Sequence, residues 1–319
     1  MNEARILIEV KNLCKYFDVK GGRKLHAVDR VNLTIPAGKT LGVVGESGCG
    51  KSTLGRTMLR LLEPTSGQIL FEGKDITKAR KSEMRQLRSK MQIIFQDPYS
   101  SINPHMTVSD IIMQPMIVNR LFHSREEMVA RVKKLMDTVG LADRLYNAYP
   151  HELDGGRRQR IGVARALALN PEFIVCDEPV SALDVSIQAQ ILNLLMDLQD
   201  QMGLAYMFIT HDLSVVKHIS DEIAVLYLGQ CIERCGATEL FRNPLHPYTK
   251  MLLAAIPVPN LSARTRELQV IHGEVTNPID PPPGCRFAAR CPYCRPECKE
   301  KDLPLREVNP GHFAACTLL

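Results

Sequence analysis

The sequence predicts an α/β fold with a largely parallel sheet, and three observations predict it. Short apolar runs at 40–44, 92–95, 173–176, 206–209 and 223–227 read as buried strands, each ending beside a polar or glycine-rich turn. Helix-like segments alternate with these runs, as in a parallel sheet with helical crossovers. The first run leads directly into a glycine-rich loop, GESGCGKST at 45–53, followed by a helical pattern. In such folds the loops after the strands carry the chemistry.

The loop at 45–52 fits G-x-x-x-x-G-K-[ST] in the strand-to-helix setting that the motif requires. Gly45, Gly48 and Gly50 allow the backbone to wind closely round a phosphate. The N–H groups of Glu46, Ser47, Cys49 and their neighbours up to Thr53 then point inward, and the helix N-terminus adds its positive end. Lys51 is placed for the β- and γ-phosphates and Ser52 for Mg²⁺. A second half of the site is expected as an acidic residue ending an apolar strand, and FIVCDE at 173–178 supplies it. Asp177 can hold the Mg²⁺ shell, and Glu178 can orient and polarise the water that attacks the γ-phosphate. Together with Lys51 and Ser52, this pair makes nucleoside triphosphate hydrolysis the leading chemistry.

The remaining elements follow in order. Residues 74–90 hold seven basic and two acidic side chains and read as a solvated, mostly helical face. From about 99 to 165, helical segments without buried strands, including 125–139, suggest a helical subdomain inserted in the α/β domain. Between 187 and 202 apolar residues recur at helical spacing, and Gly203 supplies the stop. Beyond Pro244 comes a short helix-like stretch at 248–255, then chain punctuated by Pro257, Pro259, Pro278 and Pro281 to Pro283, a separate loop-rich tail.

Composition narrows the function classes. The chain has 319 residues, 45% hydrophobic and 24% charged, the mixture of a globular protein. No apolar run reaches the roughly 18–20 residues of a membrane span, and MNEARILIEV is no secretory signal. The net charge of +5 equals the contribution of residues 74–90 alone, too mild and too local to mark a nucleic-acid binder.

Five motifs in order, GESGCGKST at 45–53, Gln96 in FQDP, LDGGRRQR at 153–160, CDEPVSALD at 176–184 and His211 in FITHD, resemble the ATP-binding-cassette (ABC) transporter ATPases over about residues 5–245. The resemblance implies a P-loop ATPase core, residues 1–245, in which two cassettes sandwich two ATP molecules head to tail. It further implies that Gln96 links Mg²⁺ and water to the membrane partner and that His211 contacts the γ-phosphate. Asp154, Gly155 and Gly156 form the signature loop facing the other subunit's ATP. Asp184 signals across the dimer and Phe17 stacks on adenine, with Tyr16 its neighbouring alternative. Bland readings stand beside these: His211 or Asp184 as a helix cap, Phe17 as core.

FQDPYSSINPHMTV, CDEPVSALDVSIQAQ, NPLHPYT at 243–249 and the cysteine-bearing tail, 246–319, look like the oligopeptide/dipeptide importer ATPases, closer to their F-type than their D-type subunit. That implies work at the cytoplasmic face of the membrane with a second, D-type ATPase subunit, two permeases and an external substrate-binding protein, and no nucleic acid. Peptide is the favoured cargo; related systems carry nickel or oligosaccharides. A soluble cassette ATPase acting on nucleic acid or ribosomes is the rival from another class.

The family signature is L-S-G-G-Q, whereas this chain has Asp154 at the serine position and Arg157 at the glutamine position. An ionised Asp154 facing a phosphate at about 4 Å would be opposed by on the order of 4 kcal/mol at an effective dielectric near 20. Two outcomes follow: the site using Asp154 retains ATP while the other hydrolyses it, or Arg157 offsets the charge and both turn over.

Five of the ten cysteines, Cys285, Cys291, Cys294, Cys298 and Cys316, fall in the last 35 residues. In a chain with no secretory signal, crowded thiols suggest a metal or cluster. The spacing fits neither the paired zinc-ribbon pattern nor the bacterial ferredoxin run. Family resemblance selects Cys285, Cys291, Cys298 and Cys316 for a [4Fe–4S] cluster, with Zn²⁺ or bare thiols as alternatives and Cys294 surplus.

Overall fold

A computed structural model describes residues 5–122, 124–256 and 277–319. Its contacts divide the chain into two units: Met1–Leu7, Ile35–Lys39 and Glu72–Ile209 in the first, Ile8–Thr34, Thr40–Phe71 and Thr210–Leu319 in the second.

The first unit contains three parallel strands. Met91 lies opposite Phe173, Phe173 opposite Ala205, and Asp177 opposite Ile209. Every residue of Phe173–Asp177 and Ala205–Ile209 is buried, as continuous apolar runs in a parallel sheet require. The strand expected at 92–95 spans Met91–Ile94. Between 99 and 165 the described residues contain helices and no strand, as expected. Val108–Asn119 opens with a Thr107/Asp110 capping box, and Ser124 caps Arg125–Thr138. Both pack against Gly155–Leu167. The helix expected from 187 begins two residues earlier, as Val185–Met202; its first residue is 82% exposed and so outside the apolar periodicity. It ends at Gly203, whose φ of +66° is the left-handed stop. The basic stretch is helical over Lys81–Lys90 with only Met84 buried, a solvated face, and residues 74–75 form a short strand.

The second unit adds antiparallel structure absent from the sequence reading. Strands Arg23–Pro36, Ile6–Val19 and Ser66–Phe71 lie side by side, with Ile8 opposite Phe71 and a register shift between Lys11 and Cys14. Thr40–Val44 pairs in parallel with Glu222–Tyr227, Val44 opposite Val225. The latter turns through Leu228 and Gly229, both at positive φ, into Gln230–Gly236, a two-residue hairpin. The tail is less loop-like than expected: Arg306–Asn309 and His312–Ala314 extend this antiparallel edge, with Arg234 opposite Phe313. Pro257 and Pro259 lie outside the described residues.

The helix expected at 248–255 is Pro247–Ala254, and the Nδ1 of His246 accepts the Tyr248 N–H at 3.1 Å as its cap. That cap requires a neutral imidazole, and burial pushes His246 down to about 4. The unfolded chain takes up this proton near pH 6.5 and the folded chain refuses it, so stability is lost as pH falls from 6.5 toward 4. Urea melts of the metal-free protein at pH 7.5 and 4.5 should differ by roughly 2–3 kcal/mol more in the wild type than in His246→Asn. Equal differences would remove His246 as the source.

Candidate functional site

The second unit carries the phosphate loop. Gly45 has φ +153°, and a Cβ there would lie 2.2 Å from the Leu226 carbonyl oxygen. At Gly50, φ is +104° and a Cβ would lie 2.0 Å from the Ala27 oxygen. Ser47 and Gly48 form the exposed tip, whereas Cys49 is buried with its thiol pushed up by that burial, an inert packing group. Lys51 is buried and folds back over the loop, its Nζ donating to the carbonyls of Gly45 at 2.8 Å and Glu46 at 3.0 Å. Ser52 and Thr53 occupy the first turn of Lys51–Met58, whose N-cap carries no side-chain hydrogen bond. Amide donors, one buried cation and a hydroxyl thus gather on one loop, the requirements of a polyphosphate site.

The same unit holds Phe17 and His211. Tyr16 is already engaged: its hydroxyl donates to Asp29 at 2.6 Å and its ring stacks on His26 at 4.0 Å. Phe17 is half-buried with Lys15 Nζ 4.9 Å from its ring. His211 is exposed and is not the helix cap, because Asp212 accepts from Ser214 N at 2.7 Å and from Val215 N at 3.4 Å in that role.

The first unit carries the acidic pair. Asp177 ends its strand fully buried, and Glu178 follows in the left-handed region at φ +48°. For a non-glycine residue that conformation costs on the order of 1 kcal/mol and turns the side chain sharply out of the strand direction. The Glu178 N–H is held by the Ile209 carbonyl at 2.9 Å, and its carboxylate accepts from Gln96 Nε2 at 2.9 Å. Gln96 and Glu178, 82 positions apart, are therefore in direct contact.

In the signature loop, Asp154 is the N-cap of Gly155–Leu167 and accepts from Arg157 N at 2.8 Å; the Arg157 guanidinium lies 3.4 Å from its other oxygen. Arg157 is thus paired with Asp154 within the loop, both side chains being exposed. Gly156 is buried where a Cβ would lie 2.7 Å from Ile187 Cγ2, and Gly155 beside it meets Leu183 at 3.1 Å. Asp184 occupies the N-cap position of Val185–Met202, but its side chain makes no capping bond.

Cys285, Cys291, Cys298 and Cys316 line one small pocket, and Cys294 does not. His246 lines it too, and its buried Nε2 has no hydrogen-bond partner among the described residues. Burial pushes the Cys285 thiol up to about 11 and raises Cys291 and Cys316 as well. Among the described residues no group of three or more His, Cys, Asp or Glu side chains is spaced to hold a metal ion.

Sequence reasoning missed Arg286, Arg290 and Tyr248. Arg286 pairs with buried Asp29 and donates to the Leu228 carbonyl; Arg290 and Tyr248 both reach Glu46 of the phosphate loop. No local spacing signals such contacts.

Residues 28–181 match the ABC transporter family model, and residues 232–298 match that of the oligopeptide/dipeptide transporter C-terminal region. The chain is 50% identical to the putative oligopeptide transport ATP-binding protein YkfD of Bacillus subtilis, over 98% of this chain and 95% of that protein. The chain belongs to the ABC transporter ATP-binding subunits of the oligopeptide/dipeptide family. It is also 48% identical to the oligopeptide transport ATP-binding protein OppF of Salmonella typhimurium, across 99% of this chain and 97% of that one. Among solved structures, this ABC subunit is similar to the dimeric ATP-binding cassette MJ0796 in a post-hydrolysis state with ADP and Pi. That match has a TM-score of 0.67 and 30% identity, and covers 72% of this chain and 99% of the other. As a member of the family, the ABC subunit is an ATPase whose hydrolysis of ATP, with Mg²⁺, is coupled to transport. No described helix is long and apolar enough to cross a membrane.

Proposed function

We propose that this chain is the F-type ATPase subunit of a di- or oligopeptide importer, with residues 1–245 as the ATPase and 246–319 as its extension. It would act at the cytoplasmic face with a D-type ATPase subunit, two permeases and an external binding protein. The printed names of its relatives support the cargo class. The observation that carries the hydrolytic role is Glu178, a carboxylate turned out of its strand by a left-handed backbone and hydrogen-bonded by Gln96.

In this reading Gly45 to Thr53 wrap the phosphates with amide donors, except that the Glu46 N–H is held by the Tyr248 hydroxyl and the Cys49 N–H by the Glu46 carbonyl, so these two of the expected donors are already engaged. Lys51 exchanges its two carbonyl partners for phosphate oxygens, and Phe17 stacks on the base while Tyr16 stays with Asp29. Ser52, Gln96 and Asp177 would hold Mg²⁺ through a hydroxyl, an amide and a carboxylate oxygen, the hard donors that suit it, and the ion would supply neutralisation of phosphate charge. Glu178 takes the proton of the attacking water, Gln96 aligns the carboxylate, and His211 contacts the γ-phosphate. Asp154, Gly155 and Gly156 face the partner subunit's nucleotide, with Asp154 masked by Arg157, and Asp184 signals between subunits.

Cys285, Cys291, Cys298 and Cys316 would hold a [4Fe–4S] cluster or Zn²⁺. The four thiols line one pocket beside an orphaned imidazole nitrogen and are the donor type either takes, but they are not spaced to hold a metal ion as they stand, so binding would have to draw them together. A bound metal would staple the extension, releasing the thiol protons on binding.

Purification of the tagged chain from membranes should bring down two permeases and a second, non-identical ATPase, with peptide accumulation lost when the gene for this chain is removed. Recovery of a nickel or sugar carrier instead would reject the cargo, and salt-sensitive nucleic-acid binding without permeases would reject the transport role.

A further inference from the structure

Residue 46 is the first variable position of the phosphate loop, and the chain beyond residue 245 holds it twice. Its backbone N–H donates to the Tyr248 hydroxyl at 2.9 Å. Its carboxylate receives both terminal nitrogens of Arg290, Nη1 to Oε2 at 2.8 Å and Nη2 to Oε1 at 2.9 Å, a bidentate fork. The Arg290 side chain is 6% exposed and that of Glu46 26%, so water does little to screen the pair. Arg290 is itself fixed, because Nη1 also donates to the Tyr227 hydroxyl at 3.2 Å. The rings of Tyr227, Tyr248 and Phe287 meet edge-on within 5.4 Å in one core cluster. Arg286, four residues earlier, is anchored to Asp29 and the Leu228 carbonyl.

A carboxylate is an odd group to carry on a loop that must take a triphosphate. Left unpaired it would repel the ligand over several ångströms, whereas tied back by a buried guanidinium it presents no net charge. We propose that Arg290 is a positioning residue for ATP binding: it neutralises Glu46 and draws the carboxylate away from the phosphates, so that the C-terminal extension completes the nucleotide site. Tyr248 fixes the backbone of the same residue from the same side. The proposal rests on the reading of residues 45–53 as the ATP loop.

The test is titration of a fluorescent ADP analogue with Mg²⁺ into the full-length protein, alongside circular dichroism of each variant. Wild type should bind and Lys51→Ala should not. Arg290→Gln should raise Kd about tenfold, and Glu46→Gln added to it should bring Kd back to within about threefold of wild type. Glu46→Gln alone should bind at least as tightly as wild type. A purely structural role for Arg290 would not be rescued by removing its partner.

Wild-type affinity in Arg290→Gln, no rescue in the double variant, or a tenfold loss in Glu46→Gln alone would each overturn the proposal while leaving the loop reading intact. Absence of binding by wild type would overturn the loop reading and the proposal with it. If Arg290→Gln does not fold, the Glu46→Gln result decides.

Discussion

Replacing Glu178 by Gln lowers ATP cleavage by about 10²- to 10⁴-fold and leaves nucleotide affinity nearly unchanged. The amide is isosteric and can still accept from Gln96, so the contact at 2.9 Å and the left-handed backbone at φ +48° are retained. What is lost is the basicity needed to take a proton from the attacking water. In the proposed reading the phosphates are held elsewhere, by the loop amides and Lys51, so binding should survive. Phosphate release, compared with the Kd of the same variant, separates the two effects. If rate and affinity fell in parallel, Glu178 would be a binding residue; an unchanged rate would make the chain a regulatory subunit without turnover.

The second large effect belongs to Gly50. In Gly50→Ala the new methyl would lie 2.0 Å from the Ala27 carbonyl oxygen, at a φ of +104° that L-residues rarely adopt. Neither partner can yield, since the obstruction is backbone in the strand Arg23–Pro36. The loop must open, at a cost on the order of 2–4 kcal/mol, and its amides then no longer converge on a phosphate. Nucleotide affinity should fall by at least about a hundredfold. Gly48→Ala is the contrasting variant: φ is +76°, but nothing lies within 4 Å, so only about 1 kcal/mol of conformational strain is expected. Thermal melts and nucleotide titrations of the pair check this, and equal losses would show that φ, not the contact with Ala27, governs the loop.

The chemistry is legible in the sequence because the backbone forces it into local patterns. Gly45 and Gly50 stand where only glycine fits, Lys51 and Ser52 follow at fixed spacing, and Asp177 and Glu178 end a run buried on both faces. The parallel strands read well for the same reason, since continuous burial leaves continuous apolar runs. The antiparallel strand Ile6–Val19 does not, because the register shift between Lys11 and Cys14 breaks the alternation that marks a half-buried strand. Arg23–Pro36 does carry a signal, Val31, Leu33 and Ile35 buried in alternation with Asn32 and Thr34, which sequence reasoning missed. Arg290 is illegible for another reason: its partner Glu46 lies 244 positions away, and neither residue belongs to a pattern that requires the other. Asp154 marks the middle ground. Its departure from the family serine is plain, but that its carboxylate caps the following helix and pairs with Arg157 depends on the backbone at that turn.

The central claim is that ATP cleavage by this chain, through Glu178, drives peptide import. It is tested most directly by ATP-dependent accumulation of a labelled oligopeptide in vesicles containing the assembled transporter and its binding protein. Vesicles with the wild-type chain should accumulate peptide, and those with Glu178→Gln should bind ATP yet accumulate none above background. Equal accumulation in the two preparations would contradict the account.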